Sequence, residues 1–236
     1  MEGNTNTGNM NLNTGRSTNT SSGRNRTPEK PAAHARTGLN TRELTLCGLM
    51  GGLSAVLMMF RFPLPFMPPF MSFDFTGLVE MIGGFTMGPV AAIAIIVVKM
   101  LLKALTQGTS SAWTGEIQNI ILSCAYVLPA VLIYDRNKSK KSALIGMAAG
   151  TVICAIVSVF TNLYLIIPFY ASFSGLTLDK ILSMCMAVNP LLSSKWSLAL
   201  LGIIPFNLIK NGSLSLLTFL VYKKMSRQIK QFVQGH

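Results

Sequence analysis

A lysine and two asparagines lie close together near the middle of a long apolar segment, where no water is available to hydrate them. In the stretch GIIPFNLIKNG (residues 202–212), Asn207, Lys210 and Asn211 have i, i+3, i+4 spacing, so a helix places them on one face. Lys210 is about 12 residues, roughly 18 Å of helix, from either end of the segment, too far for its side chain to reach the membrane surface. Because charged groups inside a membrane usually mark a ligand or ion path, we expect a functional role for Lys210.

Several groups in the sequence could neutralise Lys210. Asp74 and Glu80 follow a proline-rich loop, and Glu116 begins a later apolar segment. A polar ligand is the other alternative, since lysine and asparagine can donate hydrogen bonds to its carbonyls or hydroxyls. The sequence does not choose among these partners. Pro205, in the same motif as the lysine, has no N–H, so we expect it to kink the helix and free nearby carbonyl groups.

Five more polar side chains interrupt the apolar segments: Asn162 in TNLYLIIPFY, Glu116 and Asn119 on one face of another segment, and Lys99 and Lys103 one turn apart. We expect Lys103, near a helix end, to snorkel to the interface. Lys99 lies deeper and either snorkels or has a functional role. Asn162 either bridges two helices or binds a ligand.

The composition is that of a membrane protein. Half of the 236 residues are hydrophobic, only 12% are charged, and the mean hydropathy is +0.48. Apolar runs of about 20 residues can span a bilayer as helices, and these runs lack the alternation of a membrane barrel. We therefore predict an all-α integral membrane protein with six transmembrane helices, at about 44–60, 76–87, 90–105, 117–134, 143–170 and 196–222. The second segment is too short to cross about 30 Å of hydrocarbon, so it must be tilted into its neighbours or partly re-entrant, and packed against protein rather than lipid.

The distribution of basic residues predicts the topology. The net charge is +12, and the lysines and arginines cluster at 16–42, 135–141 and 222–230, each beside an apolar segment. Membrane insertion keeps such clusters on the cytoplasmic side. Both termini are therefore expected in the cytoplasm, with a multi-pass chain in the cell membrane. The same distribution argues against nucleic acid as the partner.

The chain divides into three parts by composition. Residues 1–40 form a basic leader rich in Asn, Thr, Gly and Ser, which is expected to be disordered. Residues 41–230 form the membrane domain, and 231–236 are a short C-terminal tail. The four cysteines are dispersed and the two histidines lie in the terminal regions, so neither a metal site nor histidine-based catalysis is expected.

Two further segments each have two interpretations. The loop RFPLPFMPPFMSFDF (61–75) is stiff and aromatic, and either lies in the membrane interface or covers a pocket for a flat apolar ligand. In the first span, small residues recur four apart, as Gly48 with Gly52 and Gly51 with Ala55. Such faces let helices approach closely, either within the protein or against another membrane subunit.

Taken in order, FPLPFMPPFMSFDFTGLVEMIGGFTMGPVAA, Lys99, GEIQN, TNLYLIIPFY and IIPFNLIKNG resemble one transporter family. This is the riboflavin-specific substrate-binding (S) component of energy-coupling factor (ECF) transporters, the RibU family. The resemblance extends over about 42–226 and is most specific in PFNLIK and in the proline-rich loop that ends in an Asp-Phe pair.

The resemblance implies a function and its partners. Such a protein binds riboflavin from outside and has no ATPase of its own, so it works with a transmembrane coupling subunit and two cytoplasmic ATPase subunits in the lipid membrane. No cofactor is implied. Docking to the coupling subunit would use Gly48, Gly52 and Ala55. The residues assigned to substrate binding are Asn119, Asn162, Asn207, Lys210, Lys99, Pro65, Phe66 and Asp74.

Other functions remain as alternatives. An S component for another vitamin would keep the same architecture. A membrane-embedded transferase that handles phosphates would need clustered acids for Mg²⁺, but the acids of the membrane region are scattered in the sequence. A stand-alone secondary transporter would show repeated halves, and no repeat is visible. An enzyme is therefore not expected.

Overall fold

The structure, a computed structural model, describes residues 39–65, 71–108, 113–173 and 178–234. Nearly all of the predicted leader lies outside these residues. The described chain is mainly helical, with one two-stranded hairpin. The elements in order are α1 (Thr41–Met59), β1 (Phe62–Pro63), β2 (Ser72–Phe73), α2 (Thr76–Met87), α3 (Pro89–Gln107), α4 (Thr114–Arg136), α5 (Lys140–Thr161), a π-helical segment (Asn162–Ile166), α6 (Ile167–Phe173), α7 (Leu178–Val188), α8 (Lys195–Ser197), a second π-helical segment (Leu198–Ile203) and α9 (Ile204–Gln234).

Among the described residues, five helical stretches are long and apolar enough to cross a membrane. They are α1, α3, α4, the continuous run Lys140–Phe169 and the run Lys195–Tyr222. Many of their apolar side chains point away from the protein interior, as Leu49, Leu105 and Leu216 do. This pattern is typical of surfaces that contact lipid.

Helix α2 has the same bounds as the short predicted segment 76–87 and lies inside the protein. Nine of its 12 residues are buried. A β-carbon added at Gly83 would lie 2.2 Å from Ile95 Cδ1 of α3, and one at Gly84 would lie 2.4 Å from Val131 Cγ2 of α4. The two glycines therefore let α2 approach both neighbours, which confirms that this short segment packs against protein rather than lipid.

The core consists of apolar clusters between the helices. One joins Met81 and Phe85 of α2 to α4, α5 and α9, and another joins Cys47 and Met50 of α1 to α2 and α3. Helices α4 and α5 approach very closely, since a β-carbon at Gly150 would lie 2.1 Å from the carbonyl oxygen of Tyr126. The buried cysteines Cys47, Cys154 and Cys185 are free thiols.

The proline-rich loop folds back as a hairpin where it is described. Strands β1 and β2 are antiparallel, with Phe62 opposite Phe73 and Pro63 opposite Ser72. The rings of Phe62 and Phe73 stack with their centroids 5.4 Å apart. The hairpin leads directly into Asp74 and α2. Residues 66–70, including Phe66, lie outside the described residues.

Four features differ from the sequence-based expectation. The segment 171–195, expected to be a loop, contains helix α7, and α4 begins at Thr114 rather than near 117. Helix α9 continues to Gln234, well beyond the expected end of the last span and into the predicted tail. Each π-helical segment ends two residues before a proline, Pro168 or Pro205. A proline cannot donate to the carbonyl four residues earlier, so the α-helical register is already broken there.

Candidate ligand-binding site

A cavity of about 440 Å³ lies among the helices beside the hairpin. Its lining is mixed, with apolar walls and a set of convergent polar groups. The apolar lining residues are Met58, Met71, Met100, Leu122, Ile166, Ile167, Met184, Leu198, Ile203 and Phe206. The polar ones are Arg61, Ser72, Asp74, Lys103, Gln107, Gln118, Asn119, Asn162, Asn207 and Lys210. Small-molecule sites generally have this composition.

Lys210 pairs with Asp74 on the wall of this cavity. Lys210 Nζ donates to Asp74 Oδ2 at 2.7 Å, and the side chains are 19% and 6% exposed. Thr76, in the first turn of α2, donates to Asp74 Oδ1 from its backbone N–H at 3.1 Å and from its hydroxyl at 2.5 Å. An ammonium has three N–H donors. Asp74 is the one partner of Lys210 Nζ among the described residues, so two donors remain.

The environment keeps Asp74 ionised. Burial raises the pKa of a carboxyl group, but here the charge and hydrogen bond of Lys210, with the hydrogen bond from Thr76, outweigh it. The pKa of Asp74 is lowered from 3.8 to about 2 as a result. The cavity therefore carries a fixed ion pair.

The other two candidate acids each bind a different lysine. Lys99 Nζ lies 2.5 Å from Glu80 Oε1, and both side chains are fully buried. Lys103 forms an ion pair with Glu116, and their side chains are 10% and 2% exposed. Lys103 was expected to snorkel, and that expectation is wrong. An acid at the start of α4 lies within reach, so the ammonium is neutralised without extending to water.

Two of the predicted asparagines are anchored through their nitrogen atoms. Asn162 Nδ2 donates to the carbonyl oxygen of Ser158 at 2.7 Å. Asn207 Nδ2 donates to the carbonyl oxygen of Ile203 at 2.9 Å and to Ser158 Oγ at 3.0 Å. Because a backbone carbonyl only accepts, the amide oxygens of both asparagines remain for another partner. Ser158 of α5, which is fully buried, thus links Asn162 to Asn207 of α9.

The third asparagine has the opposite orientation. Asn119 Oδ1 accepts a hydrogen bond from Lys99 at 2.8 Å. An ammonium can only donate, so the atom facing Lys99 must be the amide oxygen, and Nδ2 remains available. The cavity therefore offers donors from Asn119 and Lys210, and acceptors from Asn162 and Asn207.

The sequence-predicted residues fall into separate groups. Five of them line the cavity, namely Asp74, Asn119, Asn162, Asn207 and Lys210. Lys99 lies behind Asn119 and is absent from the lining. Pro65 is exposed at the hairpin and is absent from the lining too, while Phe66 lies outside the described residues. Asn211, next to Lys210, is buried and absent from the lining. Its backbone carbonyl oxygen accepts a hydrogen bond from the Tyr126 hydroxyl at 3.2 Å.

Several lining residues were not predicted. Met184 belongs to α7, which lies in the segment 171–195 that was expected to be a loop. Arg61 and Gln107 lie at the ends of spans, where polar residues are common and carry little signal. Gln118 could have been found, since it lies in the GEIQN motif beside Asn119.

Comparison with known proteins adds an independent line of evidence. Residues 42–222 match the family "ECF transporter, substrate-specific component". The chain belongs to this family.

Individual relatives agree with that assignment. "Riboflavin transporter RibU" of Staphylococcus aureus (strain TCH60) is 28% identical over 192 residues, which cover 81% of this chain and 94% of that protein. "Riboflavin transporter FmnP" of Bacillus subtilis (strain 168) is 25% identical over 201 residues, covering 84% and 99%. A solved S component of a bacterial ECF transporter matches with a TM-score of 0.62 at 28% identity, covering 80% of this chain and 98% of that one.

This S component is accordingly a multi-pass bacterial membrane protein and the substrate-binding subunit of an ECF-type vitamin uptake transporter. Its relatives are transport proteins and not enzymes, as predicted. The described residues contain no group of three His, Cys, Asp or Glu side chains that could hold a metal ion.

The small residues of α1, of which Gly48, Gly52 and Ala55 were predicted for docking, differ in their surroundings. A β-carbon added at Gly51 would lie 2.5 Å from Val98 Cγ1 of α3, so this glycine serves packing inside the S component. At Gly48 nothing lies within 4 Å, and at Gly52 only Leu102 Cδ1 does, at 4.0 Å. Gly48 is exposed, and Gly52 and Ala55 are partly exposed. These three residues therefore leave a shallow open face on α1.

Proposed function

We propose that this S component binds riboflavin from the outer side of the membrane and passes it to an ATP-driven partner module. The relatives described above are named riboflavin transporters, at 25–28% identity. In this proposal riboflavin is the transported ligand, and the protein needs no cofactor. An S component for another vitamin is the alternative, because identities of this size leave room for a change in ligand.

The cavity's fixed hydrogen-bonding groups carry the proposal. The isoalloxazine ring of riboflavin is flat and largely apolar, with an edge that alternates carbonyl oxygens and an N–H. Asn119 Nδ2 and Lys210 can donate to carbonyls, while the oxygens of Asn162 and Asn207 can accept from the N–H or from ribityl hydroxyls. Leu122 and other apolar lining residues suit the rings. The volume of about 440 Å³ lies within the range of about 300–1,000 Å³ that is usual for small-ligand sites.

The membrane orientation belongs to the same proposal. With both termini cytoplasmic and α2 counted as a sixth, short helix, the hairpin at 61–75 and the cavity face outward. The proline-rich loop, including Pro65 and Phe66, would then close over the bound vitamin. Residues 1–40 would be a leader separate from the membrane domain at 41–230.

The open face of α1 supports a docking role for Gly48, Gly52 and Ala55. A helix of a transmembrane coupling subunit could approach this face closely, since little protrudes from it. Two cytoplasmic ATPase subunits would complete the module. Membrane lipid would cover the remaining exposed apolar side chains.

A vitamin panel tests the choice of ligand. The detergent-purified full chain is heated alone and with riboflavin, thiamine, biotin or folate, and its midpoint of thermal unfolding is followed. A ligand that binds only the folded protein raises this midpoint by mass action. We expect riboflavin to raise it and the other vitamins to leave it unchanged. A rise with a different vitamin, and none with riboflavin, would overturn the proposal.

A further inference from the structure

Lys99 has no hydrogen-bonding capacity left for a ligand. Its ammonium donates to Glu80 Oε1 at 2.5 Å, to Asn119 Oδ1 at 2.8 Å and to Ser123 Oγ at 3.1 Å. An ammonium has three N–H donors, so each is used once. The residue is fully buried. It follows that Lys99 cannot contact a molecule in the cavity while these bonds hold.

Asn119 is the member of this network that reaches the cavity. It lines the cavity, and Ser123 lies one turn further along α4 on the same face. Among the described residues, Asn119 Nδ2 has no hydrogen-bond partner. An asparagine that is free to rotate by 180° would offer either its oxygen or its nitrogen. Lys99 removes that freedom, because the amide oxygen is the only atom of Asn119 that can accept from it.

Glu80 supplies the charge that allows a lysine in this place. Its Oε1 bonds to Lys99, while its Oε2 is buried and has no partner among the described residues. A buried ammonium without a carboxylate would lose its proton or draw in water. The pair thus spans α2 and α3 and directs its remaining hydrogen bonds to α4.

We propose that Lys99, held by Glu80, is a positioning residue that sets the ligand specificity of the cavity by fixing Asn119 with its nitrogen toward the ligand. This inference rests on the proposed riboflavin function. It assigns Asn119 to one of the ligand's carbonyl oxygens. Helix α2 then contributes to ligand recognition through Glu80, although Glu80 itself does not line the cavity.

The experiment compares riboflavin with 2-thioriboflavin and 4-thioriboflavin, in which one carbonyl oxygen is replaced by sulfur, a weaker acceptor. Affinities are measured by equilibrium titration with the purified full chain. In the wild-type protein, we expect one of the two thio compounds to bind about tenfold more weakly than riboflavin, the effect of one lost hydrogen bond. The ratio between the two affinities is the readout, because general damage to the fold lowers both affinities together.

The main variant is Lys99→Met combined with Glu80→Gln, which removes the ammonium without leaving a buried charge. We expect the tenfold preference to fall to about twofold or less, because Asn119 can then rotate. Asn119→Ala should lose the preference too, and adding the double substitution to it should not lower affinity further. Asn119→Asp keeps an oxygen toward Lys99 but replaces the donor, so it should also lose the preference if the main variant does not fold.

Tyr126→Phe is the matched control. Tyr126 is on the same helix as Asn119 and does not line the cavity. The substitution removes its hydroxyl, which bonds to the backbone carbonyl oxygen of Asn211 and to Ser215 Oγ. We expect this variant to keep the wild-type preference. A preference that survives in the folded Lys99 and Glu80 double variant would overturn the positioning role while leaving the riboflavin function intact. If the double variant does not fold, a preference that survives in Asn119→Asp would overturn it in the same way, and so would a wild-type protein that binds riboflavin but shows no preference between the two thio compounds. Failure of the wild-type protein to bind riboflavin would instead overturn the proposed function, and this inference with it.

Discussion

Lys210 Nζ lies 2.7 Å from Asp74 Oδ2, and this ion pair joins the last long helix to the turn before α2 across 136 residues of sequence. The ion pair leaves the cavity open, because Asp74 and Lys210 both lie in its wall. Lys210 therefore has two functions that are compatible. One N–H holds Asp74 in place, and the others face a space where a ligand can accept them.

The ion pair predicts an asymmetry between single and double substitutions. Lys210→Met leaves the carboxylate of Asp74 buried without its cation, so we expect the free energy of unfolding to fall by about 3 kcal/mol. Lys210→Met with Asp74→Asn removes both charges and should cost only about 1 kcal/mol. Chemical denaturation in detergent measures both values. Equal losses in the two variants would show that the pair is not the main source of the stabilisation.

The pH dependence follows from the lowered pKa of Asp74. Since this pKa falls from 3.8 to about 2 on folding, the stabilisation is complete above the unfolded-state value and is lost only as the pH falls through about 2. Riboflavin affinity should therefore be constant from about pH 5 to 8. Titrations across this range measure it. A change in affinity that is present in the wild-type protein and absent from Asp74→Asn would contradict this assignment.

Two glycines on α1 give a matched test of packing against docking. Gly51→Leu should destabilise the S component itself, because a β-carbon there would lie 2.5 Å from Val98 Cγ1. Gly48→Leu meets nothing within 4 Å, so the protein should fold and bind riboflavin normally. It should nevertheless co-purify poorly with the coupling subunit, since the added side chain fills the open face.

The docking prediction is checked by expressing each variant with the complete module and measuring both riboflavin binding and recovery of the coupling subunit. Normal recovery with Gly48→Leu would place the interface elsewhere on the surface.

The membrane orientation predicts which side of the cell each loop faces. Cysteines introduced as Gln107→Cys and Lys138→Cys are treated in intact cells with a membrane-impermeant maleimide. Gln107 lines the outward cavity, so we expect labelling there, and riboflavin should slow it. Lys138, 66% exposed in its side chain, should be labelled only after the membrane is opened. The opposite pattern would invert the topology.

Most of the helices were predictable because a membrane span is recognised by its length and its hydropathy. The burial of α2 followed from its 12 residues alone, since a segment too short for the bilayer must be surrounded by protein. Helix α7 was missed because it is only 11 residues long and carries polar residues such as Asp179 and Lys180, so it does not resemble a membrane span. The π-helical segments were not predicted, although a kink was expected at Pro205, two residues after the second of them.

The site was predictable as a set of residues but not as a set of pairs. The asparagines and Lys210 stood out because polar groups are costly in an apolar segment. Which acid meets which lysine depends on contacts between distant parts of the chain, and the sequence left Asp74, Glu80 and Glu116 open. Lys103 shows the limit most clearly, because its position near a helix end suggested snorkelling, while the decisive fact was the nearby carboxylate of Glu116.

The most direct test is an equilibrium titration of riboflavin with the detergent-purified full chain, followed by quenching of flavin fluorescence. The account predicts a saturable, one-to-one quench for the wild-type protein. It predicts an affinity at least about 100-fold lower when Asn207→Ala is combined with Lys210→Met and Asp74→Asn, because several hydrogen bonds to the ligand are lost without leaving a buried charge. Tyr126→Phe, which alters a buried group away from the cavity, should bind like wild type. A wild-type protein that does not quench, or a triple variant that binds as tightly as wild type, would contradict the claim that this cavity receives riboflavin.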